Sequence, residues 1–244
     1  MSLLKTFTTS KRVLSQLRHD PRTLVLVLLV PSLLIALLRY VLDGERHTFD
    51  TISLVMLGIF PLTMMFLITS IATLRERKTG TLDRLMTMPI SKLDFIFGYA
   101  VAFSLLGLLQ ACLASWVTLG LFDVPTKGGA WPVLAVAVLS AFLGTALGLL
   151  TSAFASTEFQ AVQMIMPFIF PQVLLCGAFV PRDSFPTLLH WISDILPLTY
   201  SIDAMQQVVK SSTWTSDLTT DLLAVLGFGV AALIVGSLTI KRQE

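Results

Sequence analysis

Charge disappears from this chain over two long stretches, Thr51 to Leu74 and Phe95 to Phe122, and returns between them in one dense block. The block reads Arg75-Glu76-Arg77-Lys78-Thr79-Gly80-Thr81-Leu82-Asp83-Arg84-Leu85, followed by Met88-Pro89-Ile90-Ser91-Lys92. At about 1.5 Å of rise per helical residue, each uncharged flank can cross the roughly 30 Å hydrocarbon core of a bilayer. Four further runs share this character. The pattern therefore predicts six membrane-spanning helices, at about 23–42, 52–74, 95–121, 131–155, 161–180 and 219–240. In lipid a separate apolar segment has to satisfy its own backbone hydrogen bonds, so helix is the solution for each. Pro31, Pro61, Pro167 and Pro171 fall inside spans and are expected as kinks. Arg39, near the end of the first run, is expected to snorkel to the headgroups.

Two segments do not span. In residues 1–22, Leu3, Leu4, Phe7, Leu14 and Leu17 recur at helical spacing with Lys5, Lys11, Arg12 and Arg18 between them. This predicts an amphipathic helix on the inner leaflet, a disordered basic tail being the alternative. Residues 181–215 hold two apolar pieces separated at Pro197, each too short to cross. Short helices that dip into the outer leaflet and return are expected there, with Trp191 and Tyr200 suited to the interface. An ordinary outer loop is the alternative. The segment 75–94 is expected as a short, basic, helix-compatible loop at the inner face.

Composition supports a membrane protein. Hydrophobic residues make up 55% of the chain and charged ones 13%, with mean hydropathy +0.81, whereas soluble domains are about 25% charged. A net charge of +2 is too small to suggest nucleic acid as a partner. Lys and Arg set the orientation. With the N-terminus inside, twelve of the 17 fall on the inner side, including the basic residues of 75–92. Most acids between Asp43 and Asp221 fall outside. Both termini and the charged block are thus expected in the cytoplasm. Cys112 and Cys176 lie in apolar runs and read as small core residues. No removable signal peptide is expected.

Several chemistries lack their residues. There is no Gly-x-x-x-x-Gly-Lys-Ser/Thr loop to cradle phosphates and no Gly-x-Ser-x-Gly elbow. His19, His47 and His190 are scattered, and no His/Cys/Asp/Glu cluster has metal spacing. A standalone channel or ion-coupled carrier is the alternative function, but a carrier of that kind usually needs ionisable groups inside its spans, and these spans hold almost none. A membrane scaffold or enzyme is a third reading, weakened by the missing catalytic constellation. No catalytic residue and no metal site are expected, and energy is expected to come from a partner.

The block from Glu76 to Leu85, with Met88-Pro89-Ile90-Ser91, resembles the cytoplasmic motif of ABC-2 type transporter permeases. Gly177-Ala178-Phe179-Val180-Pro181, Leu196-Pro197-Leu198-Thr199-Tyr200 and Asp203-Ala204-Met205 are similar to that family's stretch after the fifth span. The resemblance covers the whole chain, 1–244, as one transmembrane domain, and is strongest to short, drug-exporter-like (daunorubicin-resistance-type) members. It implies an all-α integral membrane protein of the type V exporter fold. It also implies a second copy of the permease (or a close homologue) and a cytoplasmic ABC ATP-binding subunit that carries ATP and Mg, with no cofactor in this chain. The exported substrate would be a drug, lipid or glycolipid, and the location the cell membrane. Residues Arg75 to Leu85 would couple to the ATPase, with Glu76 meeting a basic group on it or on the facing helix. Gly80 is expected at a turn or close approach, and Thr81 as the cap of a short helix. Lining candidates for the substrate path are Phe60, Met64, Leu67 and Ser70 on the second span and Gln163, Met166, Phe170 and Gln172 on the fifth. Ordinary helix packing accounts for each of these equally well. Ser140, Gly144, Gly148 and Ser152 form a small-xxx-small stripe, expected to serve close packing.

Overall fold

The computed structural model describes residues 3–80 and 91–239, apart from the side chains of Leu3 and Lys92. Among these residues the regular structure is helical. The chain runs through α1 (Leu3–Arg18), α2 (Pro21–Val41), α3 (Arg46–Lys78), α4 (Lys92–Ser115), α5 (Ala130–Thr151), α6 (Glu158–Gln163), α7 (Ile165–Phe168), α8 (Phe170–Leu175), α9 (Thr187–Ile195), α10 (Pro197–Lys210) and α11 (Ser216–Thr239). Six segments are long and apolar enough to cross a membrane: α2, α3, Leu93–Leu121, α5, Glu158–Leu175 and α11. With the apolar composition, they make this a multi-pass membrane protein.

Most span limits agree with the pattern of the sequence, and the departures have local causes. Asp20 caps α2 through its carboxylate, which accepts from the Thr23 N–H (3.2 Å) and hydroxyl (2.6 Å). Those two bonds hold the Asp20 carboxyl below the ordinary carboxylate range. α2 therefore starts at Pro21, two residues earlier than expected. Pro31 and Pro61 sit inside continuous helices. The fifth span departs most. Instead of one helix over 161–180, it is α6, α7 and α8, which end at Leu175. Pro167 and Pro171 lack the N–H groups that a continuous ladder needs. α3 has 33 residues, so at about 1.5 Å each it is roughly 50 Å long and overshoots the bilayer core.

The fold is organised by α5. It packs on α3, α4 and α11, and small residues let the backbones close up. A Cβ added to Gly144 would lie 2.1 Å from the Leu62 carbonyl oxygen, and one on Gly148 would lie 2.5 Å from that of Phe66. Real Cβ atoms do not approach that closely, so the Gly144/Gly148 part of the stripe is where α3 and α5 touch backbone to backbone. The most apolar stretches of α3, Leu93–Leu121 and α5 are 56%, 56% and 61% buried, against 17% for the fifth span. The fifth span is thus peripheral in a single chain. Cys176 is buried, as the sequence suggests, but Cys112 is exposed, because its face of α4 turns out of the bundle.

Between the fifth and sixth spans, α9 and α10 meet at Pro197, the break that the sequence places there. α10 is longer than the pieces expected and lies deep: Leu198, Ile202, Ala204, Met205 and Val208 are buried. It packs on α3, α5 and α11.

Candidate coupling site

The charged block does not begin as a loop. Its first four residues, Arg75 to Lys78, are the last turn of α3. Basic side chains suit this end of a helix, where unpaired carbonyls concentrate negative partial charge. Thr79 follows as the C-cap, and Gly80 has φ +68°. No heavy atom of the described residues lies within 4 Å of where a Gly80 Cβ would be. The left-handed backbone by itself favours glycine at this position. Thr81, Leu82, Asp83, Arg84 and Leu85 lie outside the described residues. The chain is described again from Ser91, whose hydroxyl accepts from the Asp94 N–H (3.0 Å) while the Asp94 carboxylate accepts from the Ser91 N–H (3.2 Å). This reciprocal cap starts α4.

Three consecutive residues at the end of α3 each reach a different element. Arg75 makes a two-pronged bond to Glu158, at the start of α6, with Nε–Oε1 2.7 Å and Nη2–Oε2 3.0 Å. Arg77 donates from Nη1 to the Ser152 carbonyl, just past the end of α5. The Glu76 carboxylate accepts from Gln16 Nε2 (3.0 Å) and Arg12 Nη1 (3.4 Å), both on α1. Arg12 also donates from Nη2 to the Tyr99 hydroxyl at 2.6 Å, and its guanidinium stands 5.7 Å from that ring's centre. Tyr99, on α4, is 1% exposed and stacks on Phe95 with ring centres 4.4 Å apart. Lys78 and Thr79 face outward.

α1 is held tightly enough to take part. A Cβ on Gly98 of α4 would meet Thr9 Cβ at 2.6 Å, so α1 rests directly on the α4 backbone. Its buried face is Thr6, Thr9, Ser10 and Val13, while Leu14 and Leu17 pack against the core and Leu4 and Phe7 point outward. The apolar stripe read from the sequence is therefore split: its second half joins the bundle, and its first half faces away, as expected of a helix on a leaflet. Glu76 finds its basic partner, Arg12, within its own chain. Arg12, Gln16 and Tyr99 have no motif to mark them, and Ser152 is legible only as the last member of the small-residue stripe. Arg12 stands out in sequence only as a charge on the amphipathic helix, and Glu158 only as an acid at an inner turn.

The lining candidates divide. Gln163, Met166 and Phe170 are exposed, on a stripe with Phe159, Val162 and Leu174 that faces away from the rest of the chain. Met64 and Leu67 are half-buried, and Phe60 packs against the cluster around Phe49 and Leu57. Ser70 is buried and has no hydrogen-bond partner among the described residues. Gln172 is buried and uses both ends of its amide internally. Its Nε2 donates to the Phe168 carbonyl (2.6 Å) and its Oε1 accepts from the Leu198 N–H (3.2 Å) at the start of α10. It ties α8 to α10 and offers nothing to an open path in the single chain.

At the opposite face Thr199, Tyr200 and Asp203, from the motif after the fifth span, form a clamp with Arg182, Ser193 and Asp194. Arg182 pairs with both Asp194 and Asp203. The Tyr200 hydroxyl donates to the Asp194 carbonyl (2.7 Å) and the Thr199 hydroxyl to the Ser193 carbonyl (2.8 Å). Burial pushes the Asp203 carboxyl above the ordinary range, and Arg182 beside it pulls the other way.

Residues 5–209 match the family model of the ABC-2 type transporter. The chain is 27% identical over 179 residues to ABC transporter G family member 20 of Dictyostelium discoideum, covering 72% of this chain and 24% of that protein. It is 28% identical over 159 residues to the probable multidrug ABC transporter permease YbhR of Escherichia coli, covering 62% and 43%. It is 24% identical over 183 residues to the inner membrane transport permease YhhJ of the same organism, covering 74% and 49%. The chain thus spans between a quarter and a half of the length of these relatives.

Proposed function

The chain belongs to the ABC-2 type transporter family, and from that premise we propose that it is the membrane-spanning permease of an ATP-driven exporter. A separate ABC ATP-binding subunit, carrying ATP and Mg, docks on residues 75–94 and supplies the energy. Two copies of the permease form the working unit, in the cell membrane with both termini in the cytoplasm. The substrate is hydrophobic or amphipathic, a drug, lipid or glycolipid; one bacterial relative is named a probable multidrug permease.

One observation carries this reading: the inner end of α3 is bonded at successive residues to α1, to the end of α5 and to α6. A displacement applied to 75–94 therefore moves the second span together with the amphipathic helix and the start of the fifth span. Such a junction is what a machine driven from outside its own chain needs. The outward stripe of the fifth span supports the rest. Phe159, Val162, Met166, Phe170 and Leu174 leave a long apolar face without a partner among the described residues, fit to meet a second copy around a shared path.

Co-expression with a candidate ATP-binding subunit tests the proposal. A complex with two permeases is expected, and export into inverted vesicles that requires ATP. The isolated chain should neither bind nor hydrolyse ATP, and ATP turnover by it alone would overturn the reading. Orientation is tested separately in a background without Cys112 and Cys176. Lys127→Cys and Ser212→Cys are expected to react with an impermeant thiol reagent on intact cells, and Thr79→Cys and Ser91→Cys only after permeabilisation. The reverse pattern inverts the topology.

A further inference from the structure

A cavity of about 390 Å³ lies where α1, the turn into α2, the last turns of α3 and the start of α4 meet. Its α3 wall is one helical face, on which Ile68, Ile71 and Ala72 are followed by Arg75, Glu76 and Thr79. Over these eleven residues, about 16 Å, the wall passes from apolar to charged. α4 keeps the same order: Tyr99, bonded to Arg12, stands at the charged end, and Phe103 lies one turn deeper. Gln16, bonded to Glu76, and Asp20 add to the charged end.

The charges at this end do not cancel. Asp20, Arg75 and Glu76 line it. Arg75 is engaged by Glu158 through two bonds, and Glu76 is paired with Arg12. Asp20 makes no ion pair among the described residues. Its carboxylate accepts from the N–H and hydroxyl of Thr23, both neutral donors. Those bonds, with Arg75 and Arg22 attracting at longer range, hold the carboxyl low and so keep it ionised at neutral pH. A carboxylate offers about four acceptor sites, so Asp20 has acceptors to spare. What the charged end lacks is a donor that carries positive charge.

A charged end and an apolar end in one cavity select an amphiphile. A soluble amine would leave Ile68, Ile71 and Ala72 against water. A purely apolar molecule would desolvate Asp20 without giving it a partner. The level in the membrane agrees, because α1 forms one wall and turns Leu4 and Phe7 outward as a helix on a leaflet does. The group that meets Asp20 has to donate hydrogen bonds, which an ammonium does three times and a quaternary choline cannot. We propose that the cavity holds one phospholipid with a primary amine, drawn from the leaflet on the side of the charged block. Its ammonium donates to Asp20 on the side of Glu76, its phosphate faces Arg75, and its acyl chains lie along Ile68, Ile71 and Ala72. The walls include Gln16, Glu76 and Tyr99, so this lipid is a constituent of the coupling junction itself.

Native mass spectrometry of the full chain in micelles, stripped of lipid, provides the test. Dioleoyl phosphatidylethanolamine is titrated in parallel with phosphatidylcholine and phosphatidylglycerol of the same acyl chains. One saturating ethanolamine-lipid adduct is expected, at a lower midpoint than for the other two. Asp20→Asn should raise that midpoint about fivefold, the upper range for a partly exposed ion pair, and leave the choline lipid's midpoint unchanged. Asn caps a helix as well as Asp does, so this variant keeps the start of α2. Ala72→Phe, which fills the apolar end, should weaken the ethanolamine adduct as well. An equal midpoint for the three lipids, a preference that survives Asp20→Asn, or wild-type binding by Ala72→Phe overturns the proposal. So does loss of the adduct when two permeases pair, which would give the cavity to the second copy. No ATP-binding subunit takes part, so the outcome is independent of the exporter reading.

Discussion

Gly144→Ala is expected to leave little folded protein. The added methyl would sit 2.1 Å from the Leu62 carbonyl oxygen, a backbone atom that cannot rotate aside. α3 and α5 would have to part by more than an ångström along the contact that organises the bundle. Overpacking of this kind costs about 1–3 kcal/mol where side chains can give way, and more where only backbone can move. The expected result is a collapse of the monodisperse peak in size-exclusion chromatography and a large drop in melting temperature. Gly227→Ala in α11 is the matched control. Nothing lies within 4 Å of that Cβ, so the change should be neutral or slightly stabilising. Equal behaviour of the two variants would mean that the α3–α5 contact is looser than described.

The second large effect is expected on coupling, with folding spared. Glu76→Ala removes the acceptor shared by Arg12 and Gln16 and leaves the Arg12 guanidinium with Tyr99 alone. Losing one partner of a charged, partly buried bond costs about 1–3 kcal/mol, so export and substrate-stimulated ATPase activity of the assembled complex should fall by roughly tenfold or more. Membrane insertion should persist, since the inner Lys and Arg residues are untouched. Gly80→Val should act alike, because a β-branched residue at φ +68° is strained. Arg12→Glu combined with Glu76→Arg should recover part of what each loses alone, which separates a lost contact from a lost charge. Normal export by Glu76→Ala and Gly80→Val at wild-type expression would sink the coupling assignment.

What can be read from the sequence is what lipid imposes on any chain. A hydrocarbon solvent demands long uncharged helices, so five of six spans are legible from where charge is absent, to within a few residues. The small residues of α5 announce close packing because small side chains can serve little else on a buried face. The fifth span is only half legible. Pro167 and Pro171 warn of a break, yet periodicity cannot say that α6, α7 and α8 end at Leu175. The π turn over Trp116–Leu121 has no mark in the sequence.

The sites depend on distances in space. Arg12 and Glu76 are 64 residues apart, Arg12 and Tyr99 are 87 apart, and Arg75 and Glu158 are 83 apart. No local pattern joins them. The sequence alone determined that a charged block stands between two membrane helices, and that such a block is a handle at a membrane face. Only the tertiary structure decided what the handle is attached to. Packing of α1 on Gly98 and of α3 on Gly144 brings three separate polar groups within hydrogen-bond reach of one helical turn, and that convergence is a property of the whole bundle.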